Sequence, residues 1–148
     1  MARSYASTVI DASADEVWAR IRDFNGLASW HSGMVATSEI EEGKAGDQVG
    51  AIRSFTLTDG THLREQLLAH SDVERSYTYD FQKHPFDVDN YQATIRVTPV
   101  TDGQRSFVEW WTTFDCERDQ IGRWERFFAV EVFQGGLDAL KAHFAKQS

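Results

Sequence analysis

The chain has 148 residues and a formal net charge of −8, from 15 Lys and Arg against 23 Asp and Glu. This length suits one domain over 1–148, and the absence of a basic run argues against a nucleic-acid partner, whose phosphates would need neutralising. Cys116 is the one cysteine, which excludes an internal disulfide, and no stretch approaches the roughly 18 apolar residues of a membrane span. We therefore expect a cytoplasmic protein without integral membrane association.

The first predicted elements are a strand and two short helices. Residues 5–10 are rich in Thr, Val and Ile, which favour strands. Ser13 and Glu16 match a capping box, so a helix is predicted to begin there, and Asn25-Gly26 can end it. Residues 27–31 form a second short apolar turn. The two brief helices would then cross one end of a sheet.

Further strands are predicted at 34–41, 49–57, 61–70, 76–83, 90–97 and 105–115. Apolar and polar side chains alternate along them, and turn-forming residues such as Asp59-Gly60 and Asp102-Gly103 separate them. Because short loops join successive strands, we expect an antiparallel meander.

Residues 120–146 are predicted to form one long helix. Val130, Phe133, Leu137, Leu140 and Phe144 recur at steps of three and four, which places them on one face. A helix of this length measures roughly 40 Å, which is too long for a small domain to bury end-on. We therefore expect it to lie across a strongly curved sheet.

Gly135 and Gly136 lie in the middle of this predicted helix. Each costs about 1 kcal/mol relative to Ala in a helix interior. Two explanations are open: the helix bends there, or a ligand or a strand approaches its backbone closely.

The first Asp-Gly turn allows two registers for the strands that flank it. A two-residue loop would mix Arg53 and Phe55 with polar residues on one face. A three-residue loop with Gly60 left-handed places Phe55 opposite Leu63, and Arg53 opposite Glu65. The hydrophobic pattern favours this second register, because the apolar residues of both strands then share a face. Arg53 and Glu65 are therefore predicted to form an ion pair within an apolar face.

The second Asp-Gly turn, Asp102-Gly103, favours a two-residue loop. In that register Ile95 and Trp110 form an opposed pair that faces inward, and Glu109 stays outside. The alternative register would bury Glu109 without a partner, which is costly. Aromatic residues also alternate along 77–81 and are expected to face inward.

A set of residues spread along the chain stands out by its order and spacing: Trp30-His31, Arg53, Phe55, Asp59-Gly60, Glu65, Tyr91, Val97, Pro99, Trp110 and Phe114. Together they resemble the polyketide cyclase/dehydrase branch of the START-related (SRPBCC) superfamily. The resemblance implies a helix-grip fold with a deep cavity. With the elements above, the expected class is α+β: a seven-stranded antiparallel sheet curved around the C-terminal helix, with two short helices between strands 1 and 2. Ser32-Gly33 departs from the family's pattern, which often has Pro there.

Arg53 and Glu65 are the leading site candidates. Arg53 could bind a ligand carboxylate or carbonyl, and Glu65 could orient the ligand or act as a base, whereas the alternative is a purely structural pair. His31 could serve as an acid or base, although a lone His is more often a surface donor. These three residues are the catalytic candidates.

The wider set of ligand-binding candidates adds aromatic residues that could wall a cavity or present hydroxyl groups, or could simply be core. The full set is Trp30, His31, Arg53, Phe55, Glu65, Tyr79, Phe81, Tyr91, Trp110 and Phe128.

No motif for a metal, a nucleotide cofactor or a serine nucleophile is present, so no metal and no cofactor are predicted. The expected partner is a small hydrophobic or amphipathic molecule. The chain would be a carrier of a lipid-like or polyketide-like ligand, or a cyclase, dehydratase or isomerase acting on a polyketide-like or aromatic carbonyl substrate. A third hypothesis is a protein-binding module that uses an exposed Trp111 and the strand edges. A homodimer is left open.

Overall fold

The computed structural model describes residues 1–145, which form one curved sheet, two short helices and a C-terminal helix. The sheet has seven antiparallel strands in the order β1-β7-β6-β5-β4-β3-β2. The strands are β1 Ala2–Ile10, β2 Val35–Ile40, β3 Ile52–Leu57, β4 His62–Ser71, β5 Ser76–Lys83, β6 Asp89–Val100 and β7 Arg105–Asp115. This architecture confirms the predicted helix-grip fold.

The two short helices between β1 and β2 are α1 Ala14–Ile21 and α2 Leu27–Trp30. Ser13 caps α1, because its hydroxyl accepts a hydrogen bond from the Glu16 backbone N–H at 3.2 Å. The first helix ends before the predicted Asn25-Gly26 position. Asp23 instead caps a separate 3₁₀ turn, Phe24–Gly26, which leads directly into α2.

The C-terminal helix has three consecutive parts: α3 Ile121–Arg126, a π-helical segment Phe127–Gln134 and α4 Gly135–Ala145. The predicted helix is therefore present but not uniformly α-helical, and its predicted last residue, Lys146, lies outside the described residues. Within residues 1–145, no helix has both the length and the apolar character needed to span a bilayer.

The π-helical segment changes which side chains face the sheet. In a π-helix the hydrogen bonds run from i to i+5, so residues five apart share a face. Phe128 and Phe133 are accordingly both buried, at 1% and 0% exposure. Val130 was predicted to belong to the apolar stripe and is instead 53% exposed, because the α-helical period does not hold there.

The register predicted for the first Asp-Gly hairpin is confirmed. Arg53 lies opposite Glu65, and Phe55 lies opposite Leu63. Gly60 has a φ of +91°, which is the left-handed conformation that the three-residue loop requires. The alternation of apolar residues thus determined which side chains of β3 and β4 face the core.

The register of the second Asp-Gly hairpin is also confirmed, since Ile95 lies opposite Trp110. The loop is longer than predicted: residues 101–104 form the turn instead of two residues. Both Gly103 and Gln104 have positive φ angles, of 91° and 52°. These conformations do not continue a strand, so pairing stops one residue earlier on each side.

The outer face of the sheet carries polar partners around Trp111. The Arg96 guanidinium lies 5.4 Å from the centre of the Trp111 ring, and Arg96 also pairs with Glu109 at 3.2 Å. Tyr5 lies opposite Trp111 on β1 and donates to the Glu109 carboxylate. Trp111 is therefore half-buried, and the expectation of an exposed Trp111 was wrong because neighbouring side chains cover it.

Candidate functional site

A cavity of about 70 Å³ lies between the sheet, α2 and the π-helical segment. Nearly all ligand-binding candidates lie on its wall: His31, Arg53, Phe55, Glu65, Tyr79, Phe81, Tyr91, Trp110 and Phe128. The apolar residues that complete the wall were not identified from the sequence: Leu27, Met34, Val35, Leu57, Leu63, Phe86, Phe127 and Val132. For Leu57 and Leu63 a signal was present, because they share the inward face of Phe55.

Trp30 is the candidate that does not line the cavity. It is buried, at 3% exposure, behind the wall. Its ring stacks on that of His31, with centroids 5.6 Å apart, and lies 6.0 Å from the ring of Trp110. Trp30 was predicted to wall the cavity, whereas α2 turns its side chain into the core; that it contacts a ligand stays a prediction. In the structure it packs against two wall residues, His31 and Trp110.

Arg53 and Glu65 form a buried ion pair, with 1% and 4% of each residue exposed. Arg53 Nε donates to Glu65 Oε1 at 2.8 Å, and Arg53 Nη2 lies 2.7 Å from the same oxygen. The contact is one-sided, because both nitrogens meet Oε1. Among the described residues none donates a hydrogen bond to Glu65 Oε2, so one carboxylate oxygen is free on a residue of the cavity wall.

Arg53 has further partners that the sequence did not indicate. Its Nη1 donates to the Phe24 backbone carbonyl at 3.0 Å and lies 3.5 Å from the Tyr77 hydroxyl. The guanidinium carbon also lies 4.0 Å from the Phe24 ring centre and 4.8 Å from that of Tyr79. Such cation–π contacts stabilise a desolvated guanidinium. Each guanidinium nitrogen therefore has a protein partner.

The two charges of the pair depend on each other. Burial lowers the pKa of Arg53, but the Glu65 carboxylate opposes this and leaves that pKa raised overall. Burial also raises the pKa of the Glu65 carboxyl, and the Arg53 guanidinium opposes that shift. Because a guanidinium stays protonated in proteins, the Glu65 carboxylate is the charge that balances it. The pair contributes no net charge to the cavity.

His31 is buried, at 5% exposure, so the expectation of a surface donor was wrong. Neither ring nitrogen has a hydrogen-bond partner among residues 1–145. Burial, and then the nearby charge of Arg53, lowers the pKa of His31 to about 4, so the ring is neutral at pH 7. A neutral imidazole has one donor and one acceptor, and leaving a buried polar group unpaired costs about 1–3 kcal/mol.

Gly136 explains how His31 fits beneath the C-terminal helix. A Cβ at this position would lie 2.6 Å from Trp110 Cζ3 and 3.1 Å from His31 Nε2. Of the two explanations open for the mid-helix glycines, close approach therefore applies at Gly136, where Trp110 of strand β7 and His31 lie against the helix backbone. Gly135 has no such constraint, since its nearest neighbour is the Val130 carbonyl at 3.9 Å.

The two tyrosines of the wall, Tyr79 and Tyr91, make different contacts. Tyr79 accepts a hydrogen bond from Trp110 Nε1 at 3.1 Å, so its hydroxyl is engaged by a side chain of the core. Tyr91 stacks on Phe81, with ring centroids 3.9 Å apart. Burial raises the pKa of both tyrosines, which keeps them protonated and neutral.

The size of the cavity limits what it can hold without rearrangement. Pockets that bind drug-sized ligands measure about 300–1,000 Å³, whereas this one measures about 70 Å³. Several of its wall residues are aromatic side chains of the π-helical segment and of β5 and β6. A ligand larger than a few waters must therefore displace some of these side chains. Within residues 1–145, no group of three or more His, Cys, Asp or Glu side chains could hold a metal ion.

Comparison with known families supports the architecture described above. A family model described as "Polyketide cyclase / dehydrase and lipid transport" matches residues 1–145. The chain belongs to this family. The match confirms the resemblance that was inferred from the sequence and supports ligand binding in general. No curated protein matches the sequence.

Solved structures with the same fold cover nearly the whole chain. The protein XoxI from Bacillus cereus is 33% identical with a TM-score of 0.88, and the alignment covers 99% of this chain and 98% of XoxI. A protein from Thermobifida fusca is 28% identical with a TM-score of 0.86, over 99% and 95% of the two chains. Norcoclaurine synthase from Thalictrum flavum, solved with dopamine and hydroxybenzaldehyde, is 17% identical with a TM-score of 0.77, over 99% and 87%. This last similarity shows a shared fold alone.

Proposed function

We propose that the chain binds a small, mainly apolar molecule with an oxygen function in the cavity beneath the C-terminal helix. The observation that carries this proposal is the buried Arg53–Glu65 pair on the wall of an otherwise largely aromatic cavity. A buried ion pair is often no more stabilising than apolar residues of similar volume. Its presence here is better explained by a polar ligand group that it receives. The family, whose description includes lipid transport, supports the same class of ligand.

Two valines of the π-helical segment provide a matched test. Val132 lines the cavity, whereas Val130, two residues earlier, is 53% exposed. Val132→Trp should fill the cavity, and Val130→Trp should leave it unchanged. Native mass spectrometry of the freshly purified proteins should show a small-molecule adduct on the wild type and on Val130→Trp, and none on Val132→Trp. An adduct retained by Val132→Trp would place the ligand elsewhere and contradict the proposal.

An enzyme of the cyclase, dehydratase or isomerase type is the second candidate function. Glu65 favours it, because a buried carboxylate with a raised pKa and a free oxygen has the properties of a general base. Norcoclaurine synthase, which shares this fold, was solved with hydroxybenzaldehyde, an aromatic carbonyl compound. Glu65→Gln should then abolish turnover of an aromatic carbonyl substrate while its affinity changes by only about a few fold. A carrier would release every such ligand unaltered.

A further inference from the structure

If the cavity binds a ligand, as proposed above, its polar groups indicate whether that ligand donates or accepts hydrogen bonds and what charge it carries. Arg53 was expected to receive a ligand carboxylate or carbonyl. Its Nε donates to Glu65, its Nη1 contacts the Phe24 carbonyl and the Tyr77 hydroxyl, and its Nη2 lies 2.7 Å from Glu65 Oε1. Aromatic rings lie over the guanidinium plane. The Arg53 side chain is 1% exposed, against 6% for that of Glu65, so Glu65 is the more accessible of the two to a ligand. Arg53 therefore acts mainly to hold Glu65 in place.

Two polar side chains of the wall have atoms without a hydrogen-bond partner among the described residues. Glu65 Oε2 accepts no hydrogen bond from the described residues, and neither nitrogen of His31 has a partner among them. A neutral imidazole adds one acceptor and one donor. A ligand that satisfies Glu65 Oε2 must itself donate a hydrogen, as a hydroxyl or N–H group does. A bond of this kind to a carboxylate is charge-assisted and short.

The balance of charge in the cavity disfavours an anion. The ionisable wall residues are His31, Arg53, Glu65, Tyr79 and Tyr91. The imidazole and both tyrosines are neutral at pH 7, and the Arg53 charge is already balanced by Glu65. An anionic ligand would lose its hydration without gaining an unbalanced cation, and it would lie beside a carboxylate.

We infer that Glu65, and not Arg53, receives the ligand, and that the ligand is a neutral ring-bearing molecule whose hydroxyl group donates to Glu65 Oε2. The aromatic walls formed by Phe81, Tyr91 and Phe128 suit the faces of such a ring. His31 offers a second hydrogen-bonding position on the same wall. The same arrangement disfavours fatty acids and other carboxylates.

Three probes that share one ring and one ethyl group test this inference on the wild-type protein. They are 4-ethylphenol, which donates a hydrogen bond, 4-ethylanisole, which cannot donate, and 4-ethylbenzoate, which is an anion. Calorimetric titration at pH 7 should give an affinity for the phenol about ten-fold or more above that for the anisole, with the benzoate weakest. A tenfold ratio corresponds to the about 1.4 kcal/mol expected of one hydrogen bond.

Glu65→Gln gives a readout that a folding defect cannot imitate. Removing the carboxylate leaves the Arg53 charge unbalanced, so this variant should bind 4-ethylbenzoate about ten-fold more tightly than the wild type and should lose its preference for the phenol. The matched control is Glu41→Gln, because Glu41 pairs with Arg64 at the surface and lies outside the cavity. The control should keep the wild-type ranking of the probes.

The outcomes separate this inference from the function on which it rests. A wild type that binds the benzoate or the anisole as tightly as the phenol would overturn the inference and leave ligand binding in place. Failure to bind any probe would overturn the inference. If the protein also purifies without an adduct, the ligand-binding function on which the inference rests is overturned as well. The wild-type ranking decides the matter even where Glu65→Gln does not fold.

Discussion

Glu65 lies directly opposite Arg53 across β3 and β4, and its Oε1 is 2.8 Å from Arg53 Nε and 2.7 Å from Nη2. Both residues are almost fully buried. A pair of this kind depends on both members, because a single charge left in the core has neither water nor a counter-charge. The stability of the sheet and the charge balance of the cavity therefore both depend on this pair.

Removal of one member should be far more damaging than removal of both. Glu65→Leu leaves a charged, buried Arg53, and we expect it to lower the free energy of unfolding by about 3–5 kcal/mol. The double variant Arg53→Met/Glu65→Leu removes both charges and should recover most of that loss. Urea denaturation followed by circular dichroism measures each value. A double variant as unstable as Glu65→Leu would show that the unbalanced charge of Arg53 is not the cause of the loss.

The neighbouring pair Arg64–Glu41 is the matched control for this experiment. It has a similar separation of 2.7 Å, but its side chains are 35% and 30% exposed. Water screens such a pair, so Arg64→Met should change the free energy of unfolding by only about 0–1 kcal/mol.

The two mid-helix glycines should respond in opposite directions to substitution by Ala. In Gly136→Ala the new methyl group meets Trp110 and His31, and overpacking of this kind costs about 1–3 kcal/mol. In Gly135→Ala no neighbour obstructs the methyl group, and the better helix propensity of Ala should add about 0.5–1 kcal/mol of stability. Thermal and urea denaturation of the two variants test the prediction. Equal effects would show that the close packing around Gly136 is not the reason why a glycine occupies this position.

His31 should make the protein less stable as the pH falls. Its pKa is lowered from the ordinary 6.5 to about 4 in the folded chain, by burial and by Arg53. Below pH 6.5 the unfolded chain therefore binds a proton that the folded chain does not, and stability is lost between pH 6.5 and about 4. The whole difference between the two pKa values corresponds to about 3 kcal/mol.

A non-titrating substitution isolates this contribution of His31. The free energy of unfolding of His31→Leu, subtracted from that of the wild type at each pH, should reveal the predicted slope between pH 6.5 and 4. The imidazole proton resonances followed by NMR should titrate near pH 4. Titration of His31 near pH 6.5 would show instead that water reaches the ring.

The hydrogen bond from Trp110 Nε1 to the Tyr79 hydroxyl should matter for stability because both residues are buried. Tyr79→Phe leaves the buried indole N–H without its acceptor, and we expect a loss of about 1–3 kcal/mol. Tyr5→Phe is the control, since Tyr5 donates to Glu109 at 2.8 Å but is 48% exposed. That control should change stability by less than about 0.5 kcal/mol. Similar losses of stability in both variants would show that burial does not make the Tyr79 hydrogen bond more important than the exposed one.

The strands and their register were largely predictable because they depend on local pattern. The side-chain period of two, combined with the loop at Gly60, allowed a single arrangement that buries the apolar residues of β3 and β4, and this arrangement places Arg53 opposite Glu65. The same reasoning placed Ile95 opposite Trp110. Turn chemistry and alternation depend on residues close in sequence, so both can be recognised in a single amino-acid sequence.

The site was less predictable because its details depend on segments far apart in sequence. The Phe24 carbonyl that accepts from Arg53, and Gly136, which makes room for His31, carry no local signal of these roles. The π-helical segment likewise departs from the α-helical period that the pattern suggested, and it exposes Val130. Each of these features follows from packing between elements and not from the residues of one element.

The sequence by itself therefore determined the helix-grip architecture, the inward faces of the hairpins and the position of the Glu65 carboxylate opposite the Arg53 guanidinium. Only the tertiary structure decided that Arg53 is occupied by protein partners, that His31 is buried and unpaired, and that Trp30 lies behind the wall. The physical reason is that alternation and turn geometry specify which way a side chain points from its own strand. What that side chain then meets is set by the packing of α2 and the C-terminal helix against the sheet.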